Sequence, residues 1–113
     1  MISAKEIREI SMMQYKIIIS PDAYQGIIDH AVFLANVSRS AATKFRKNII
    51  TDINSLKENP QRHSFCKSPE MEDKIYRKML SEKRYYIIYR IIESTVLVDF
   101  VIDCRQDYHW LLG

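Results

Sequence analysis

Three strand-like segments follow one another in the last third of this sequence, and they constrain its fold more than any other feature. They cover residues 75–80, 85–92 and 96–104 and are rich in the β-branched and aromatic residues that strands favour. The connectors at 81–83 and 93–95 are short enough for hairpins. The sequence therefore predicts a meander of antiparallel strands in this part of the chain.

A further strand and two helices are predicted before the meander. Residues 15–20 read YKIIIS, which suits a buried strand, and the S-P-D sequence at 20–22 is a helix-start signal. Apolar residues then recur every three or four positions in two segments, from 23 to 35 and from 41 to 57, until Pro60 stops the second. Because the break between these segments is short, they predict an antiparallel helical hairpin.

The predicted order β-α-α-β-β-β is that of an α+β domain in which a helical hairpin packs on one face of an antiparallel sheet. Side chains alternate between the two faces of a strand. On the last strand, the face that we expect to pack on the helices comprises Val96, Val98, Phe100 and Ile102. The length of 113 residues suits one domain. We assign residues 15–113 to this domain and residues 1–14 to an N-terminal extension of doubtful role.

Composition argues against several classes of protein. No apolar run approaches the roughly 20 residues that span a bilayer, and residues 1–14 lack the long apolar centre of a signal peptide. Cys66 and Cys104 are too few for a disulfide framework and do not have the spacing of metal ligands. We therefore expect a cytoplasmic protein without membrane contact, metal or cofactor.

Basic residues are concentrated between residues 74 and 90, where Glu82 is the only acid. The formal net charge of +3 is small, so this concentration matters more than the total. The basic residues there are Lys74, Arg77, Lys78, Lys83, Arg84 and Arg90. Such a run suits an anionic partner, either nucleic acid or an acidic protein segment, although charge runs are more often a solvated face.

An ordered set of short segments resembles a known family. The set comprises S-P-D-A at 20–23, L-x-x-N-P at 56–60, R-K-M-L at 77–80, Y-I-I-Y-R-I at 86–91, V-L-V at 96–98 and a terminal Arg105. In this order they are similar to the RelE/ParE superfamily of bacterial toxins from type II toxin–antitoxin modules, often called plasmid stabilisation proteins. The resemblance implies a small toxin that a co-encoded antitoxin neutralises by wrapping its surface.

Members of this superfamily act in two different ways, and a shared fold does not decide between them. ParE-like toxins poison DNA gyrase, whereas RelE-like toxins cleave messenger RNA in the ribosomal decoding site. A third alternative is a homologue that has lost its activity and only binds its antitoxin. The long helical hairpin and an incomplete set of ribonuclease residues favour the ParE-like alternative slightly. Tyr86 stands where those ribonucleases usually have an arginine, and Met79 replaces a lysine.

The candidate catalytic residues of the ribonuclease alternative are Arg105, Tyr108 and His109. RNA cleavage needs a proton acceptor, a proton donor and cations around the phosphorane. By resemblance, His109 would act as acid or base, Tyr108 would donate a proton or stack on a base, and Arg105 would hold phosphate. Plainer interpretations stand beside these: His109 suits a partly buried tail, and Arg105 can pair with Asp103 or Asp107.

The candidates for contact with RNA or with the antitoxin are Arg77, Lys78, Arg84 and Arg90. We expect an amphipathic helix or strand of the antitoxin to dock in the groove between hairpin and sheet, where its acidic residues meet Arg77, Arg84 or Arg90. The expected partners are a cognate antitoxin, in a hetero-oligomer, and either DNA gyrase or the ribosome with its mRNA. A complex that is insensitive to salt would contradict these charge contacts.

Overall fold

The computed structural model describes residues 14–67 and 74–105 and confirms the predicted α+β order. Its elements are strand β1 (Lys16–Ile19), helices α1 (Pro21–Ala35) and α2 (Arg39–Ser55), a 3-10 turn (Pro60–Arg62), and strands β2 (Arg77–Ser81), β3 (Tyr85–Ile92) and β4 (Thr95–Asp103). The candidates Tyr108 and His109 lie outside the described residues, as do residues 1–13 of the predicted N-terminal extension.

The four strands form one mixed sheet in the order β1-β4-β3-β2. β2, β3 and β4 are antiparallel neighbours, as the meander predicts, whereas β1 pairs parallel with β4. The path of the hairpin explains the parallel pair. α1 packs along β4, and α2 returns the chain to the start of β1, where the N–H of Tyr15 donates to the carbonyl of Lys57 at 2.8 Å. β2 therefore enters the sheet from the same end as β1, and two hairpin reversals make β4 parallel to β1.

Serine side chains cap the starts of both helices. The hydroxyl of Ser20 accepts from the N–H of Ala23 at 3.0 Å, and that of Ser38 accepts from the N–H of Ala41 at 3.2 Å. Because Ser38 is the cap, α2 begins at Arg39, slightly before its predicted start. No helix in the described parts of the chain is long and apolar enough to cross a membrane.

The hairpin covers one face of the sheet and encloses the main core. The helices contribute Ala23, Ile27, Phe45, Ile49 and Ile53, and Leu56, directly after α2, belongs to the same core. The sheet contributes Met79, Tyr85, Ile87, Tyr89, Val96, Val98 and Val101. Full burial of a large apolar side chain contributes about 1.5–3 kcal/mol, so this core is the main source of stability. We call this side of the sheet the helix face and the other side the opposite face.

A β-bulge at Asp99 divides β4 into two halves. Tyr89 of β3 pairs with Val98, but its neighbour Ile88 pairs with Phe100, so Asp99 is an extra residue on β4. Side chains alternate along a strand with a period of two residues. One inserted residue therefore exchanges the two faces for everything that follows it.

The bulge makes half of the predicted packing face wrong. Val96 and Val98, before the bulge, pack on the helices as predicted. After it, Phe100 and Ile102 pack on the opposite face, and Val101 takes their place against the helices. Strict alternation fails here because an inserted residue leaves no clear signal in an apolar strand.

Candidate functional site

Two arginines share the carboxylate of Asp103 at the end of β4. Nη2 of Arg84 lies 3.3 Å from Oδ2, and Nη2 of Arg105 lies 3.2 Å from the same oxygen. The backbone N–H of Arg105 also donates to Oδ1 at 2.9 Å. Asp103 is only 4% exposed, so its charge needs these partners. The predicted pairing of Arg105 with Asp103 is therefore present, and Arg84 joins it.

Helix α1 brings His30 to the same cluster. Its half-buried ring meets the ring of Tyr85 edge-on, with centroids 5.2 Å apart. Burial lowers the pKa of His30 from its ordinary value of 6.5, while the carboxylate of Asp103 opposes that shift and the guanidinium of Arg84 reinforces it. The imidazole is therefore mostly neutral at neutral pH. The sequence offers no signal for this residue, because only the path of α1 along β4 brings it close to the others.

An open cleft of about 480 Å³ lies beside this cluster. Asp29 and Phe33 of α1 form one wall, and Asp103 and Arg105 form the other. The carboxylates of Asp29 and Asp103 balance the guanidinium groups of Arg84 and Arg105. The cleft is thus much closer to neutral than the basic run in the sequence suggests, which makes it a poor site for a phosphate chain.

Arg77 lies away from this cluster and holds the loop before β2. Its Nη1 donates to the carbonyls of Gln61 at 3.0 Å and His63 at 2.6 Å. Its guanidinium carbon lies 3.8 Å from the ring centroid of Phe65, a cation–π contact. The Nη1 group of Arg77 is therefore used within the chain, and its guanidinium is stacked on Phe65.

Lys78 and Arg90 lie on the opposite face of the sheet. Nζ of Lys78 is 5.6 Å from the ring centroid of Tyr86, and Nε of Arg90 donates to Oδ2 of Asp99 at 2.7 Å. Because the bulge separates them, Asp99 lies on this face and Asp103 on the helix face, so the two carboxylates do not form a pair. Among the described residues, no group of three His, Cys, Asp or Glu side chains is placed to hold a metal ion. The four predicted binding residues therefore do not share one surface.

The fold is shared with a solved structure. A chain described as "Chromosomal ParDE TA system from P. aeruginosa" superimposes with a TM-score of 0.62 at 15% sequence identity, covering 82% of this chain and 98% of that one. Likeness at this identity shows the fold alone, an α+β domain of the class that occurs in that system. Among curated proteins, no sequence matches this chain.

The sequence itself matches a family described as "ParE toxin of type II toxin-antitoxin system, parDE", over residues 17–108. The match extends from β1 to beyond Arg105 and so covers most of the chain. The chain therefore belongs to the ParE toxin family and is a toxin of a type II toxin–antitoxin system. The resemblance to the RelE/ParE superfamily is confirmed.

Proposed function

We propose that this toxin acts by binding DNA gyrase rather than by cleaving messenger RNA, and that a co-encoded antitoxin neutralises it in the cytoplasm. Membership of the ParE toxin family supports the choice of target. The geometry of Arg105, a residue that a ribonuclease would use, supports it independently.

The pairing of Arg105 with Asp103 carries the proposal. Nη2 of Arg105 lies 3.2 Å from one carboxylate oxygen, and its Nε lies 3.4 Å from the other. An arginine that stabilises a phosphorane has to direct these donors to phosphate oxygens. The buried carboxylate beside it also repels those oxygens. Arg105 is therefore better suited to a contact with protein than to a contact with phosphate.

The antitoxin, in this proposal, covers the hairpin and the sheet with an acidic amphipathic segment. Arg77 and Arg90 donate to groups of this chain, so we expect them to contribute little. Arg84 also donates to a group of this chain, Asp103, but it lines a groove between α2 and the sheet, so it is the best placed of the three for contact with an acid. Because these are charge contacts near the surface, the affinity should fall as the salt concentration rises.

Two assays with the purified protein distinguish the mechanisms. We expect the toxin to inhibit DNA supercoiling by gyrase and to leave messenger RNA intact in cell-free bacterial translation, as read by primer extension. New cleavage sites that appear only with ribosomes would contradict the gyrase proposal and would make His109 and Arg105 the first residues to mutate. No effect in either assay would contradict both mechanisms and favour a homologue without activity.

A further inference from the structure

Helix α2 carries as much net positive charge as the whole chain. Four of its side chains are cations and one, Asp52, is a carboxylate, so its surplus of three positive charges equals the formal net charge of +3 of the chain. The cations are all exposed and form what we call the basic face of α2: Arg39, Lys44, Arg46 and Lys47. Helix α1 has two carboxylates and neither Lys nor Arg. The hairpin is therefore polarised, with its positive side on α2 and outside the basic run at residues 74–90.

The fold makes no use of these cations. None of them forms an ion pair within the parts of the chain that the structure describes. No carboxylate stands three or four positions from any of them, the spacing at which opposite charges support a helix. Arg39 occupies the first turn of α2, where the helix dipole disfavours a positive charge. Charges that break a local rule without a gain for the fold indicate a role in binding.

The other exposed side chains of the basic face are small and polar. Ser40 and Thr43 lie among the cations, and Thr51 lies one turn beyond Lys47. Lysine, arginine, serine and threonine are the side chains that contact the phosphates and sugars of DNA. From Arg39 to Lys47 the helix rises by about 12 Å, which corresponds to about three or four successive phosphates of one DNA strand.

The basic face suits a duplex better than a single strand or a protein. Phe45, the aromatic residue of α2, is 1% exposed, so this helix offers no ring on which unpaired bases can stack. Ile50, the large apolar side chain that α2 exposes, lies beyond the last cation. Protein interfaces, in contrast, are centred on apolar and aromatic side chains. A row of phosphates is therefore the partner that matches this face.

We propose that the basic face of α2 contacts the phosphate backbone of the DNA duplex held by gyrase while the toxin is bound to that enzyme. The inference rests on the proposed function, because it assigns the duplex to gyrase. Phosphate contacts carry no information about base sequence, so this contact positions the toxin without selecting a site. It is also separate from the cleft at Asp103, where carboxylates balance the arginines.

The first test is the binding of the purified toxin to a fluorescent duplex, measured by anisotropy at several salt concentrations without gyrase. Lys44→Gln combined with Lys47→Gln should weaken binding about tenfold at low salt and reduce the slope of log affinity against log salt by about two. The matched control is Lys16→Gln combined with Lys67→Gln, which removes the same charge from exposed positions outside α2. The control should change both quantities much less.

Arg39→Gln separates a role in binding from a role in the fold. The substitution should weaken duplex binding severalfold. The melting temperature of the toxin should be unchanged or higher, because the lost charge opposes the helix dipole. A lower melting temperature would show that Arg39 serves the fold and would contradict its place in the contact.

The second test is the inhibition of DNA supercoiling by gyrase. The Lys44/Lys47 double variant should need severalfold more toxin for half-inhibition than the Lys16/Lys67 control. An equal requirement would contradict a contact with the DNA held by gyrase, whatever the affinity for isolated duplex.

The possible failures are distinguishable. Equal duplex affinities for the two double variants would overturn this inference and leave the gyrase proposal intact. An unmodified toxin that does not inhibit supercoiling would overturn the proposed function and, with it, the assignment of the duplex to gyrase. If Lys44 and Lys47 matter for binding of single-stranded RNA or of the antitoxin but not of duplex DNA, the basic face has another partner and the inference is wrong.

Discussion

The hydroxyl of Ser20 donates to the carbonyl of Asp99 at 2.8 Å and joins residues that lie 79 positions apart in the sequence. The same hydroxyl accepts from the N–H of Ala23 at the start of α1, and the N–H of Ser20 donates to the carbonyl of Val98. One residue thus caps a helix and fixes that helix to the bulge in β4. The bulge decides which side chains face the helices, and it places Asp103 on the helix face.

Ser20→Ala should therefore cost more than the loss of a helix cap. We expect the free energy of unfolding to fall by about 2 kcal/mol, of which the cap accounts for about half. The comparison is Ser38→Ala, which removes the cap of α2 and should cost about 1 kcal/mol. Urea unfolding followed by circular dichroism measures both. Equal losses would show that the hydrogen bond to Asp99 contributes nothing.

Gly26→Ala should destabilise the protein although alanine is the better helix former. A Cβ at this position would lie 2.9 Å from the carbonyl oxygen of Val101, so α1 would have to move away from β4. The helix preference favours alanine by about 1 kcal/mol, and we expect the strain to exceed it, with a net loss of about 1–3 kcal/mol. The exposed neighbour Gln25→Ala is the control and should change stability by less than about 0.5 kcal/mol. A stabilised Gly26→Ala would contradict the close packing.

Protonation of His30 should destabilise the fold. Burial, reinforced by Arg84 and opposed by Asp103, lowers its pKa in the folded chain below the ordinary value of 6.5. Between that lowered pKa and 6.5 the unfolded chain binds more protons than the folded chain. The contribution of His30 to stability is therefore complete above about pH 6.5 and is lost progressively as the pH falls below it.

Unfolding measured as a function of pH checks this prediction. The variant His30→Gln should show a smaller loss of stability in acid than the unmodified protein. Part of the dependence of stability on pH should remain, because the pKa of His63 is also lowered. Burial is the larger cause of that shift, and the charges of Arg62 and Arg77 add to it. The double variant with His63→Gln should remove that part as well. An unchanged slope in His30→Gln would contradict the burial of the imidazole.

Asp103→Asn should release Arg105 and Arg84 from their shared partner. We expect the free energy of unfolding to fall by about 1–3 kcal/mol, because the buried side chain at position 103 loses its negative charge while both guanidinium groups keep their positive charges. Weak binding of an RNA oligonucleotide, measured by fluorescence anisotropy, should increase at the same time. Asp99→Asn, which removes a carboxylate from the opposite face, is the control. Weaker RNA binding in Asp103→Asn than in the control would contradict the proposed role of Asp103.

The order and type of the elements could be predicted because their signals are local. The S-P-D sequence marks the start of α1, and the run at 85–92 coincides with β3 as observed. The contact of Arg105 with Asp103 could also be predicted from the sequence, since the two residues lie two positions apart. The resemblance to the RelE/ParE superfamily rests on the order of short local segments, and the family match confirms that resemblance.

The sequence by itself thus determined the α+β class, the hairpin, the meander and the toxin family, through caps, periodicity and short connectors. Only the tertiary structure decided that β1 runs parallel to β4, that a bulge at Asp99 exchanges the faces of β4, and that His30 and Asp103 line one cleft. It alone shows that the hydroxyl of Tyr85 lacks a partner among the described residues. These features depend on contacts between residues far apart in the chain. Their free energies come from packing the hairpin on the sheet. The propensities of single segments therefore do not predict them.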